Sequence, residues 1–85
     1  MKDQDVQIVI RTSDRTRMAE VTLPRAMTVS DILQACKENW KLPTDVEYQI
    51  MNATSRKQLL PEAHLTPDIV GNGDELIVNP MLVAG

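Results

Sequence analysis

The sequence is short of several things, and each shortage excludes something. It has one cysteine, Cys36. No disulfide can form within the chain, and the paired-cysteine spacings that hold zinc or an iron–sulfur cluster are absent. It has no Phe, and Trp40 and Tyr48 are its whole stock of large aromatics. Any core must therefore rest on Val, Ile, Leu and Met. Lys and Arg total 9 against 12 Asp and Glu, a net charge of −3, and neither sign gathers into a stripe. Nucleic-acid binding has no electrostatic footprint here, and the scattered acids read as a solvated surface. No stretch approaches the ~20 apolar residues of a membrane span, so no membrane insertion is expected. Met1 to Asp5 is polar with no signal-peptide-length apolar run behind it, which makes the cytoplasm the expected location. There is no phosphate-binding glycine loop and no metal-ligand spacing. His64 is the lone histidine, and nothing pairs it with Cys36 or a serine for nucleophilic work. The chain is expected not to be an enzyme and to carry no cofactor and no metal.

What is present reads as one compact domain. The 85 residues leave no room for a second, and 42% are hydrophobic, too many for a disordered chain. A chain of this size buries only about 60% of its unfolded surface, so its core must be regular. Val6, Ile8 and Ile10 alternate with Gln7 and Arg11, the period of a strand with one buried face; Val9 should point outward. Ser13 to Arg17 is a polar turn. Ala19, Val21 and Leu23 alternate in a second strand, completing a hairpin that Pro24 ends. Thr28 is a helix N-cap with Asp31 placed for a capping box. Val29, Ile32, Leu33, Cys36 and Trp40 then form one apolar stripe, and Pro43 stops the helix. Val46, Tyr48 and Ile50 predict a third strand and Asn52 to Arg56 a turn. Lys57 to Leu60 predicts a short return strand. Pro61 to Val70 is irregular, anchored by Leu65, Ile69 and Val70. Gly71-Asn72-Gly73-Asp74 is a strong turn signal, followed by a last strand at Leu76, Ile77 and Val78 that Pro80 closes. The helix stripe should lie on one sheet face and leave the other to water.

These residues resemble the ubiquitin family. Val6-Gln7-Ile8-Val9-Ile10-Arg11-Thr12 looks like its opening strand, Met-Gln-Ile-Phe-Val-Lys-Thr. Thr28 and Val29 match its helix start, Leu42-Pro43-Thr44-Asp45 its Ile-Pro-Pro-Asp, and Lys57-Gln58-Leu59 its Lys-Gln-Leu. From Leu65 onward the two align without a gap. The chain is also similar to the ubiquitin-like proteins linked to type VII secretion, the YukD/EsaB family. Tyr48-Gln49-Ile50-Met51, Gln58-Leu59-Leu60 and the Gly-Asn-Gly-Asp turn carry that second likeness. The resemblance implies an α+β, ubiquitin-like β-grasp fold, ββαββ(β), with one helix across a mixed sheet. Residues 1–80 would be the domain and 81–85 a flexible C-terminal tail.

The resemblance also implies sites. Gly85 falls in register with ubiquitin's last glycine, where the carboxylate is adenylated, passed to a thiol and joined to a lysine. A glycine has no Cβ and threads a narrow active-site channel. Ala84 stands where ubiquitin has the first glycine of its pair, and Met81 and Val83 replace its two tail arginines. Met81, Leu82 and Val83 make the tail apolar, which points to docking on a partner or on the domain. Ubiquitin's receptors read an apolar patch, for which Val9, Ile50, Met51 and Ile77 are candidates; isolated exposed apolars are the commoner arrangement. Lys57 matches a chain-building lysine, though a solvated surface lysine is the plainer reading. Cys36, on the helix stripe, reads as a buried small hydrophobe, and Trp40 as a lid on the core.

The leading expectation is a bacterial-type ubiquitin-like modifier, activated at Gly85 and conjugated to lysines. Its partners would be E1-like activating and E2-like conjugating enzymes and a deconjugating protease. The alternatives are a non-covalent module docking on a protein of a type VII secretion machine, or a sulfur carrier bearing a C-terminal thiocarboxylate.

Overall fold

The computed structural model describes residues 4–43 and 46–80. Strand β1 spans Asp5–Thr12 and β2 Met18–Pro24; α1 spans Val29–Trp40; β3 spans Tyr48–Asn52, β4 Lys57–Leu59 and β5 Glu75–Pro80. The five strands form one sheet in the order β2-β1-β5-β3-β4. β1 and β5 run parallel, and the other neighbours are antiparallel. The sheet is therefore mixed, with the last strand inserted at its centre. This is the α+β, β-grasp arrangement that the sequence pointed to.

Alternation decides which sheet face is buried. Val6, Ile8, Ile10 and Thr12 of β1 are buried, and Leu76 and Val78 of β5 and Ile50 of β3 join them on the helix side. Ala19, Val21 and Leu23 of β2 pack against this cluster. From α1, Val29, Ile32 and Cys36 enter the core, flanked by Leu33 and Trp40. The stripe expected from spacing is the stripe that packs. Leu65 and Val70 are fully buried, while Ile69 is half-buried, so the irregular stretch closes the core's far end.

Local chemistry sets the boundaries. The Asp31 backbone N–H donates to Thr28 Oγ1 and the Thr28 N–H to Asp31 Oδ2, which satisfies two otherwise orphaned donors in a capping box. The helix ends at Lys41, left-handed at φ 53, whose N–H returns to the Lys37 carbonyl, as does that of Leu42. Backbone reversal thus ends the helix before Pro43 is reached. In the β1–β2 turn Asp14 accepts from the Thr12 and Thr16 hydroxyls at 2.6 and 2.8 Å and from the Thr16 N–H at 3.1 Å. Those bonds hold its carboxyl down at about 2. Gly73 takes φ 85, a left-handed value that favours glycine, and donates its N–H to the Gln7 carbonyl at 2.7 Å.

Three expectations are revised. β3 starts at Tyr48, and Val46 lies outside it. Asn52 belongs to the strand and is fully buried. Leu60 lies beyond β4 and is largely exposed. No helix among the described residues is long and apolar enough to cross a membrane.

Candidate protein-binding face

The face of the sheet turned away from α1 carries the surface chemistry. Strand parity puts Asp5, Gln7, Val9 and Arg11 of β1 there, with Met18, Glu20 and Thr22 of β2, Gln49 and Met51 of β3, and Glu75, Ile77 and Asn79 of β5. The pairing registers align them in rows. One row runs Met18, Arg11, Ile77, Met51, Gln58 across all five strands. The row beside it runs Glu20, Val9, Glu75. Met51 and Ile77 are direct cross-strand neighbours, close enough for side-chain packing. Val9 lies diagonal to Ile77, between two glutamates.

The expected patch is thus partly assembled and partly corrected. Val9 and Met51 are half-buried on this face, and Ile77 keeps 9% of its surface between Arg11 and Met51. Ile50 is withdrawn: at 0% exposure it faces the helix and belongs to the core, because it has the opposite parity from Met51. Met18, 61% exposed, lies in the same row and was missed. Its alternation in β2 was readable; its register with Arg11 was not. Arg11 divides the patch and is tied down. Its guanidinium pairs with Glu75, and its Nη1 donates to the Thr12 carbonyl at 3.2 Å. The pair joins residues 64 apart in sequence, which no local pattern could announce.

The remaining candidates sit apart. Lys57 is exposed on the edge strand β4. Burial pushes the Cys36 thiol up to about 11, which holds it protonated and unreactive at neutral pH. The His64 ring donates from Nδ1 to the Ala26 carbonyl at 3.3 Å, a loop contact. Trp40 is half-buried against the core. No cluster of three metal-ligating side chains occurs among the described residues. Gly85, Ala84, Met81, Leu82 and Val83 lie outside the described residues.

The five-stranded mixed sheet gripping one helix defines a ubiquitin-like β-grasp fold. Among solved structures, the chain is similar to Caldiarchaeum subterraneum ubiquitin, with a TM-score of 0.74, 20% identity, and coverage of 95% of this chain and 99% of that one. The C-terminal ubiquitin-like domain of mouse tubulin-specific chaperone e gives a TM-score of 0.71 at 20% identity, covering 100% and 95% respectively. The UBL domain of Plasmodium falciparum Dsk2 gives 0.70 at 18%, covering 91% and 99%. No protein-family model matches the sequence, and no curated protein matches it. At such identities the likeness establishes the fold, which occurs both as ubiquitin and as a domain of other proteins.

Proposed function

We propose that this chain is a ubiquitin-like modifier of the cytoplasm, activated at Gly85 and joined to lysines of target proteins. What supports the reading is the sequence register of Gly85 with ubiquitin's last glycine. The last strand runs to Pro80 beside Tyr48, and in sequence Gly85 aligns with ubiquitin's last glycine. In this reading the chain is the substrate of E1-like and E2-like enzymes and of a deconjugating protease, and performs no catalysis of its own. Its carboxylate, native or exposed by cleavage, is the reacting group. Deletion of Gly85 in the native host is expected to remove every higher-mass conjugate of the chain. Conjugates that survive the deletion would sink the reading.

A second reading is favoured by the Met51–Ile77 pair and the exposed Met18. Methionine-bearing surfaces adapt to partners, and the patch suits a non-covalent module, for which a secretion machine is one setting. Met51→Lys is then expected to weaken partner capture at least tenfold with the melting temperature unchanged. Loss of function on removing residues 81–85 would count against this second reading and for the first.

A further inference from the structure

Asn72 alone among the asparagines stands before a glycine; Asn39 precedes Trp40, Asn52 Ala53 and Asn79 Pro80. That pairing is chemically unstable. The Asn72 side-chain carbonyl carbon can close a succinimide ring with the Gly73 backbone nitrogen, and a glycine has no Cβ to shield that nitrogen. Asn72 and Gly73 are both exposed, and a Cβ built on Gly73 would meet nothing within 4 Å. Packing does not guard the pair.

Hydrogen bonds guard it instead. Asn72 Oδ1 accepts from the Gln7 N–H at 2.9 Å, and the Gly73 N–H donates to the Gln7 carbonyl at 2.7 Å. The two groups that must meet are thus each bound to Gln7 of β1. Asp74 tightens the hold. Its carbonyl accepts from the Val9 N–H at 3.0 Å, and its Oδ2 accepts from the Gly71 N–H at 2.8 Å and from Asn52 Nδ2 at 2.9 Å. Attack requires the Gly73 N–H to give up its proton and the Asn72 side chain to swing onto the nitrogen. Both steps require the bonds to Gln7 to break.

We propose that Asn72 is a deamidation site kept latent by Gln7, which reacts when the turn before β5 lifts off β1. The Gly73 nitrogen attacks Asn72 Cγ, and the new C–N bond closes the succinimide. The Cγ–Nδ2 bond breaks, and Nδ2 leaves as ammonia with the Gly73 proton. Solvent water then opens the ring at either carbonyl. Opening at Cγ gives aspartate, whose carboxylate still accepts from the Gln7 N–H. Opening at the main-chain carbonyl gives isoaspartate, which routes the backbone through the side chain and lengthens it by a methylene. The two bonds to Gln7 then no longer form in register, so a transient opening becomes a lasting one. The site is independent of Gly85 and of the outer-face patch, so it stands whether or not the chain is conjugated.

The full chain is incubated in mildly alkaline buffer beside a free peptide covering residues 70–76. Deamidation is followed by the mass gained when –OH replaces –NH2, and amide hydrogen exchange at Gly73 is measured on the same chain, 15N-labelled. One opening frees the Gly73 nitrogen for both exchange and attack. The chain is therefore expected to deamidate at least tenfold more slowly than the peptide. Exchange at Gly73 should be slowed by the same factor, to within about threefold. Asp74→Ala, shown by its amide spectrum to be folded, is expected to raise both rates together. Isoaspartyl product, isolated by ion exchange, is expected to have lost the protection of the Gly73 amide. Four results would each overturn the proposal. They are deamidation as fast as in the peptide, a slowing unlike that of Gly73 exchange, a folded Asp74→Ala that fails to raise both rates, and isoaspartyl chains with Gly73 still protected. Should Asp74→Ala not fold, the comparison of the two rates in the parent decides alone.

Discussion

Asn52 shows what a single residue can and cannot announce. Asparagine is a turn residue, and its Oδ1 does accept from the Thr54 and Ser55 N–H groups at 3.0 and 3.3 Å. Its Nδ2 also donates to the Ile69 carbonyl and to Asp74 Oδ2, both at 2.9 Å. That second half of its chemistry ties β3 to the irregular stretch and to the last turn, and depends on partners remote in sequence. Asn52→Ala should leave several polar groups without partners and cost on the order of 3 kcal/mol, read as a lowered urea midpoint. Asp14 acts on a smaller, pH-dependent scale. Its carboxyl is held near 2 against an ordinary 3.8, so its contribution is full above about pH 4 and fades as pH falls through 2. The stability gap between the parent and Asp14→Ala should therefore narrow over that range in acid unfolding curves.

The elements were legible to different depths. α1 was readable almost whole, because its stripe, cap and length are local properties. Thr28→Ala removes one arm of the capping box and should cost about 1 kcal/mol, measurable by thermal melting. The helix stop at Lys41 was not readable, since only conformation distinguishes a left-handed lysine from one more helical residue. The strands were readable as faces and blurred at their ends. Val46 continues the alternation of β3 in sequence, yet it is Asn52 at the other end that pairs with Leu76 of β5. The irregular stretch after β4 was beyond pattern altogether. Its buried Leu65 and Val70 expose no periodicity, and the Arg25 guanidinium donates to both their carbonyls, at 2.8 and 2.9 Å. Leu65→Ala should cost about 2–5 kcal/mol by opening a cavity there, visible in the same melts.

At the scale of the molecule, the family likeness implied a mixed sheet, while the strand order and the parallel β1–β5 pair are set by long-range register that alternation does not contain. The candidate surface was legible as a set of residue types. Parity then assigned them: Met51 and Ile77 to the outer face, Ile50 to the core.

The central position of β5 also dictates when the chain can fold. β1 emerges first from a ribosome, yet its parallel neighbour is the last strand made. Until residues 75–80 have cleared the exit tunnel, the sheet has no middle: β1–β2 and β3–β4 are two hairpins with nothing between them. Isolated hairpins are at best marginal in water. Folding of this domain should thus be withheld until residues 75–80 are outside the tunnel and then occur in one step. Force measurements on ribosome-stalled chains should show a single late peak, and chains stalled before Glu75 should remain protease-sensitive.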